Sequence, residues 1–187
     1  MDRLEILMIA VGLSMDAFAV SLGAAASGRA LDGRAAFRLS FHFGLFQFLM
    51  PVLGWLTGVS VAALVASFDH WLAFALLLFV GVRMILAGVR PDVQTYQKDP
   101  TRGWTLVMLS VATSLDAFAV GLSLAMLAGP IWYPAVVIGI VTGTLTLVGV
   151  RMGTHLGARL GKRMEVAGGV ILIGVGVRIV YAHLGTP

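Results

Sequence analysis

GLSMDAFAVSLG, residues 12–23, returns a hundred residues later as ATSLDAFAVGLS, residues 112–123. The pentapeptide DAFAV is identical in the two copies, Ser14 aligns with Ser114, and Asp16 aligns with Asp116. Both copies sit inside long apolar segments, Leu4 to about Ala26 and Trp104 to Leu127. Further along the chain the offset becomes 95, pairing Gly44 with Gly139, Gly54 with Gly149, Gly58 with Gly153, Gly81 with Gly176 and Arg83 with Arg178. The five-residue change falls in the first connection of each half. The chain therefore reads as a duplication: residues 1–90 form a first three-helix repeat, 91–103 a cytoplasmic linker, and 104–187 a second three-helix repeat.

Composition explains why the segments are helices. Of 187 residues, 59% are hydrophobic and only 12% are charged, against about a quarter charged in a soluble domain. The low charge argues against an ordinary cytosolic enzyme, and the apolar content against disorder. Cysteine is absent, which removes disulfides, thiolate metal sites and a cysteine nucleophile. The net charge of +4 comes from residues between the apolar segments, not from a basic tract, so no nucleic-acid partner is expected.

A spanning helix needs about 20 mostly apolar residues, and six such segments fill the chain. Besides the two above they are about Ala36–Ala66, interrupted by Pro51, then Trp71 to about Val89, about Ile131–Leu156, and Val166–Leu184. The break at Gly129-Pro130 and the polar patch ARLGKRME, 158–165, separate the last three. Their apolar residues run continuously instead of alternating, which excludes lipid-exposed barrel strands. In lipid every backbone polar group must be paired internally, which leaves helices. The first span opens within four residues of Met1 without a strongly basic lead, so a cleaved signal peptide is not expected.

Loop charge sets the orientation. Arg29, Arg34 and Arg38 lie between the first two segments, Arg90, Lys98 and Arg102 between the third and fourth, and Arg159, Lys162 and Arg163 between the last two. The two remaining connections contain no Lys or Arg. All three basic loops fall on one side, which should be cytoplasmic, with both termini outside. Three spans per half force the second half to enter the membrane from the opposite face. The expected fold is thus an all-α integral membrane protein of six transmembrane helices arranged as two inverted three-helix repeats, a plan common among secondary transporters that bind near the midplane.

Asp16 and Asp116 each stand about twelve residues into a span, and at about 1.5 Å per residue that is near the bilayer centre. An ionisable group there marks a pathway, a relay or a pair; the bland alternative is a protonated carboxyl bonded to a neighbouring helix. Two carboxylates across a pseudo-twofold axis repel unless one takes up a proton or both close on a cation. Gln47 and Thr142 are repeat-equivalent and each offers an oxygen, either to a cation or to another helix. Ser14 and Ser114, two residues before the aspartates, point about 200° away on a helix. They bond backbone carbonyls or line the wall unless the helix opens near Gly12. Met15 could add a soft thioether, although methionine is ordinarily core filler. Arg83 and Arg178 either snorkel to the interface, pair with a carboxylate, or lock the two halves together.

The duplicated S-x-D-A-x-A-V motif, together with FGLFQFLMPVLGWLTG (43–58), FVGVRMI (79–85) and GGVILIGVGVRI (168–179), resembles the bacterial manganese exporters of the MntP type over nearly the whole chain. The family is distantly related to the lysine-exporter superfamily. The resemblance implies an inner-membrane protein that expels Mn²⁺ as substrate and carries no resident cofactor. It places the family's membrane aspartates on Asp16 and Asp116, and its third- and sixth-helix arginines on Arg83 and Arg178. Some members carry glutamate where this chain has Gln47, which removes one negative ligand here.

The residues alone specify a small solute or cation with hard oxygen ligands; manganese and outward direction come from the resemblance. With no GxxxxGK[ST] motif, ATP hydrolysis is not expected, and the paired carboxylates point to protons as counter-ion. The expectation is a secondary active exporter of Mn²⁺ across the cytoplasmic membrane. The alternative is an exporter of a small cationic molecule such as a basic amino acid. A channel fits poorly with arginines embedded in the spans, and an intramembrane enzyme lacks a convincing nucleophile and base. Oligomeric state is not written in the sequence.

Overall fold

The computed structural model describes residues 2–26, 32–65, 69–89 and 99–184. Arg29, Arg90, Lys98 and most of the predicted linker lie outside them, as do the side chains of Arg83, Arg159 and Lys162. The regular structure is all helical: α1 Arg3–Ala26, α2 Gly33–Val65, α3 Asp69–Val89, α4 Gly103–Met126 and α5 Trp132–Leu184. Among the described residues, four stretches are long and apolar enough to cross a membrane: Arg3–Ala26, Gly33–Ser60, Gly103–Met126 and Trp132–Gly153. Val166–Arg178 is a shorter apolar one.

Local chemistry fixes the helix ends. Asp32 caps α2, its Oδ1 accepting the Ala35 N–H at 2.9 Å, which satisfies one orphan donor of the first turn. Helix α4 ends where Gly129-Pro130 predicts. The Gly129 N–H reaches back to the Leu124 carbonyl at 3.0 Å and the Ala128 N–H to Ala125 at 3.1 Å. Ala128 takes the left-handed conformation, φ 51°, that such a C-terminal motif requires. Trp55 of α2 closes over this turn, its indole N–H donating to the Gly129 carbonyl at 2.9 Å.

Two predicted breaks are helical in the structure. Pro51 lies inside α2, which a membrane helix tolerates when neighbours re-satisfy the freed backbone. The patch at 158–165 separates the fifth and sixth spans as expected, since the chain turns back between them, but its backbone is helical: apart from Gly161 its residues are good helix formers and no proline interrupts them.

The chain nevertheless reverses within α5. Thr142 bonds Ser14, Gly149 lies on Phe18 and Ser21, and Gly153 on Leu22 and Ala25, so the first arm (132–153) runs parallel to α1. Gly12 then meets Gly168 and Leu172, and Arg178 reaches Asp2 and Glu5, so the second arm (166–184) runs antiparallel to it. Gly54 and Gly58 approach Phe118, Leu122 and Ala125 in register, making α2 parallel to α4. Ser40 and Gly44 meet Gly143 and Gly139, making α2 antiparallel to the first arm of α5. It follows that α1 and α4 are antiparallel. Among the described residues the bundle has six rods built from five helices.

Its tightest packing joins helices from different sequence halves, α1 with α5 and α2 with α4, so the two halves interleave. Small residues permit the close approach. Ala10, Ala17, Ala24 and Ala117 are fully buried, and one apolar cluster joins Ile9 and Leu13 of α1, Leu77 of α3, Val120 of α4, and Ile138 and Leu172 of α5. The outer faces expose Phe37, Phe79, Ile140 and Tyr181. That surface suits lipid, in line with a multi-pass membrane protein.

Candidate cation site at the helix crossing

Gln47 is the polar group around which the bundle closes. It is fully buried in α2, and its amide nitrogen donates to two backbone carbonyls, Leu13 of α1 at 3.4 Å and Thr113 of α4 at 3.1 Å. Leu13 and Thr113 are repeat-equivalent, so one side chain ties together the same turn of both motif helices. With its nitrogen engaged by two acceptors, the amide presents its carbonyl oxygen elsewhere, and that Oε1 is buried with no hydrogen-bond partner.

Asp16 and Asp116 each follow those carbonyls by three residues, so each rises from the turn that Gln47 holds. Asp116 is 4% exposed and Asp16 is half-buried. Among the described residues there is no group of three or more His, Asp or Glu that could hold a metal ion. Oxygens at this crossing come instead from carboxyl, amide, hydroxyl and backbone groups.

The flanking hydroxyls are committed to the helices. Ser14 donates to the Ala10 carbonyl and Ser114 to the Ser110 carbonyl, the same bond in each motif copy. Ser14 spends its one proton there, so at the 2.8 Å contact with Thr142 it is Thr142 that donates. Thr142 thus clasps α5 to α1 and retains lone pairs only. Met15 is buried in the shared apolar cluster.

Arg83 lies in α3, with its side chain outside the described residues. Arg178 reaches the first turn of α1, 3.2 Å from an oxygen of Asp2 and 3.2 Å from one of Glu5, while Glu5 also accepts the Asp2 N–H at 2.8 Å. It therefore joins the last rod to the first. Half-exposed pairs contribute little each, about 0–1 kcal/mol. Arg178→Gln should lower the melting temperature of the purified protein slightly, and adding Glu5→Gln to it should cost less than Glu5→Gln costs alone. Fully additive effects in that cycle would show that the ion pair contributes nothing.

The open groove between α2 and α5, about 440 Å³, is a different feature. Phe41, Leu45, Phe48, Ile140 and Leu147 line it, and its Ser40 and Thr144 hydroxyls are already bonded to backbone carbonyls.

Sequence reasoning did not find Thr146, which is fully buried with an unpartnered hydroxyl. Its repeat-equivalent is Pro51, so comparing the halves gives no signal there. Nor did it find the link from the Arg38 guanidinium to the Thr101 carbonyl, 2.9 Å, which ties α2 to the turn before α4.

Comparison with known proteins gives a consistent picture. Residues 30–180 match the family described as "Putative manganese efflux pump". The "Putative manganese efflux pump MntP" of Syntrophotalea carbinolica is 49% identical, covering 98% of each chain. The protein of the same name from Geobacter sp. strain M21 is 54% identical, also covering 98% of each. That from Nitratidesulfovibrio vulgaris strain DP4 is 50% identical over 98% of this chain and 92% of its own. No solved structure matches.

Proposed function

The chain belongs to the putative manganese efflux pump family, and from that premise we propose that it is a secondary active exporter of Mn²⁺ at the bacterial inner membrane. The cation binds at the α1–α4 crossing between Asp16 and Asp116, with Gln47 Oε1, and Thr142 or residual water, completing an oxygen shell. The observation that carries this reading is the buried, unpartnered Oε1 of Gln47, held one turn from both aspartates. An unmade hydrogen bond at a buried acceptor costs about 1–3 kcal/mol, and a cation bound there offsets it. Carboxylate and amide oxygens suit Mn²⁺.

The architecture in this reading is two inverted repeats, residues 1–90 and 104–187 joined by a 91–103 linker. Two sets of contacts support it. An added Cβ at Gly54 would fall on the Phe118 carbonyl and one at Gly149 beside the Phe18 carbonyl, which are repeat-equivalent pairs. Gly44 and Gly139 meet each other reciprocally, each Cβ position 2.9 Å from the other's carbonyl oxygen. In this reading the pseudo-twofold axis runs between these two glycines. By loop charge the basic connections are cytoplasmic and both termini outside.

Because the halves interleave, the units that rock are α1 with α5 and α2 with α4, and Gln47 bridges them. Mn²⁺ entering from the cytoplasm cancels the repulsion between the carboxylates, which lets the units part on the outer side. A proton taken up by the emptied pair balances the return. Arg178, bonded to Asp2 and Glu5, stabilises the bundle away from the cation and does not ligate it.

Mn²⁺ binding to the purified protein, followed by loss of the free-ion paramagnetic resonance signal, tests the site. Gln47→Leu should weaken binding about tenfold, the loss of roughly 1.4 kcal/mol expected of one neutral ligand. Gln47→Glu should retain or tighten it. Unchanged Mn²⁺ affinity in Gln47→Leu would remove Gln47 from the shell. Displacement of Mn²⁺ by lysine would favour the basic amino-acid exporter.

A further inference from the structure

Thr146 sits in the first arm of α5, one turn beyond Thr142, fully buried and with no hydrogen-bond partner for its hydroxyl. Most other helical hydroxyls of the bundle behave differently. The hydroxyls of Ser110, Thr113, Ser123 and Thr144 each donate to the carbonyl four residues back, as those of Ser14 and Ser114 do. That bond is the ordinary resting place of a helical hydroxyl, and Thr146 does not make it. Leaving a buried hydroxyl unbonded is unfavourable, which points to a ligand.

The surroundings indicate which ligand. Along the α1–α5 seam the oxygens follow in order: Thr142 on Ser14 at 2.8 Å, then Thr146, then Ser21, whose hydroxyl donates to the Phe18 carbonyl at 2.8 Å. The row starts beside the Gln47 level, where the second unpartnered buried oxygen lies, and follows α1 toward its C-terminal end. It is one-sided. The repeat-equivalent of Thr146 is Pro51, which has no hydroxyl and whose carbonyl is packed on Gly121. No acidic or basic side chain is repeated along this row, so neutral hard oxygens alone define it, and these suit a divalent cation that keeps part of its water shell.

We infer that Thr146 is a way-station for the transported cation: its hydroxyl oxygen replaces one water of a partly hydrated Mn²⁺ passing between the cytoplasmic end of the α1–α5 seam and the Asp16–Asp116 level. This rests on the Mn²⁺ export reading. It requires the seam to loosen where Gly149 packs on Phe18 and Ser21, so Thr146 serves the state that opens to the cytoplasm.

The chain has no cysteine, so Thr146→Cys introduces its only thiol. In inside-out vesicles a small cationic methanethiosulfonate reagent should label it, and Mn²⁺ at ten times its Kd should slow labelling about tenfold by occupancy. Thr146→Val, which keeps the shape and removes the hydroxyl, should lower Mn²⁺ kcat/KM in proteoliposomes by about tenfold, the equivalent of one lost ligand. Its melting temperature should hold or rise, and Thr146→Ser should restore transport. Three results would overturn the inference: labelling indifferent to Mn²⁺, wild-type flux in Thr146→Val, or a sharp loss of thermal stability in Thr146→Val, which would reveal a structural hydroxyl. Wild-type flux in the same vesicles separates the two levels. A wild type that moves no Mn²⁺ defeats the export reading and this inference with it, whereas normal wild-type flux beside a silent Thr146→Val defeats this inference alone.

Discussion

Cells that express Asp116→Asn in place of the wild type, with no other manganese exporter, should accumulate Mn²⁺ as if they had no exporter, and Asp16→Asn should behave the same way. Each substitution keeps the size of the side chain and removes one of the two charges that the proposed site uses to hold the divalent ion. Removing one member of a desolvated charge interaction costs about 2–5 kcal/mol, enough to reduce transport by about thirtyfold or more. The folded protein should survive the change. Asp116 is 4% exposed, and asparagine keeps its size and one of its acceptor oxygens. Melting temperatures at or above wild type, together with lost export, would separate a transport role from a structural one. Cellular manganese content after a Mn²⁺ load reads the first, and a thermal melt in detergent reads the second.

The largest effect on folding should come from the helix crossings. An added Cβ at Gly54 would fall on the Phe118 carbonyl oxygen, and one at Gly121 on the Pro51 carbonyl oxygen. Backbone atoms cannot swing aside as a side-chain tip can, so α2 and α4 would have to separate. Glycine to alanine in an exposed helix gains about 1 kcal/mol. Here overpacking outweighs that gain by about 1–3 kcal/mol or more, and the displaced helices would lose close contacts over several turns. Gly54→Ala and Gly121→Ala should therefore fall in yield and melt earlier on a detergent chromatography assay. Gly174 supplies the control, because an added Cβ there meets nothing within 4 Å. Gly174→Ala should match or exceed wild type, and if all three behave alike the tight α2–α4 crossing is wrong.

Much of this arrangement is visible in the sequence, because membrane helices announce themselves by unbroken apolar runs. The bounds of α1, α3 and α4 fall within two residues of those expected, and DAFAV in duplicate marks the crossing helices. Three features are not legible there, each for a physical reason. The continuity of helical backbone through 158–165 is hidden because polarity signals a loop, whereas the residues themselves favour helix. Arg178 finds Asp2 and Glu5 across almost the entire chain, a contact set by tertiary packing that no local pattern encodes. The double bond of Gln47 to the Leu13 and Thr113 carbonyls uses backbone acceptors, which every residue carries, so nothing in the side-chain pattern signals it. The interleaving of the halves follows from the same limit: repeats show which helices are equivalent, not which ones touch.

The most direct test of the account is Mn²⁺ flux in proteoliposomes that contain only this protein and a metal-sensitive dye, with Mg²⁺ and Ca²⁺ as competitors. The expected result is saturable Mn²⁺ movement that responds to an imposed pH gradient, is weakly inhibited by excess Mg²⁺, and vanishes in both Asp16→Asn and Asp116→Asn. Folded wild type that moves no Mn²⁺ under any gradient, or aspartate variants that match it, would contradict the assignment of the helix crossing as a cation site.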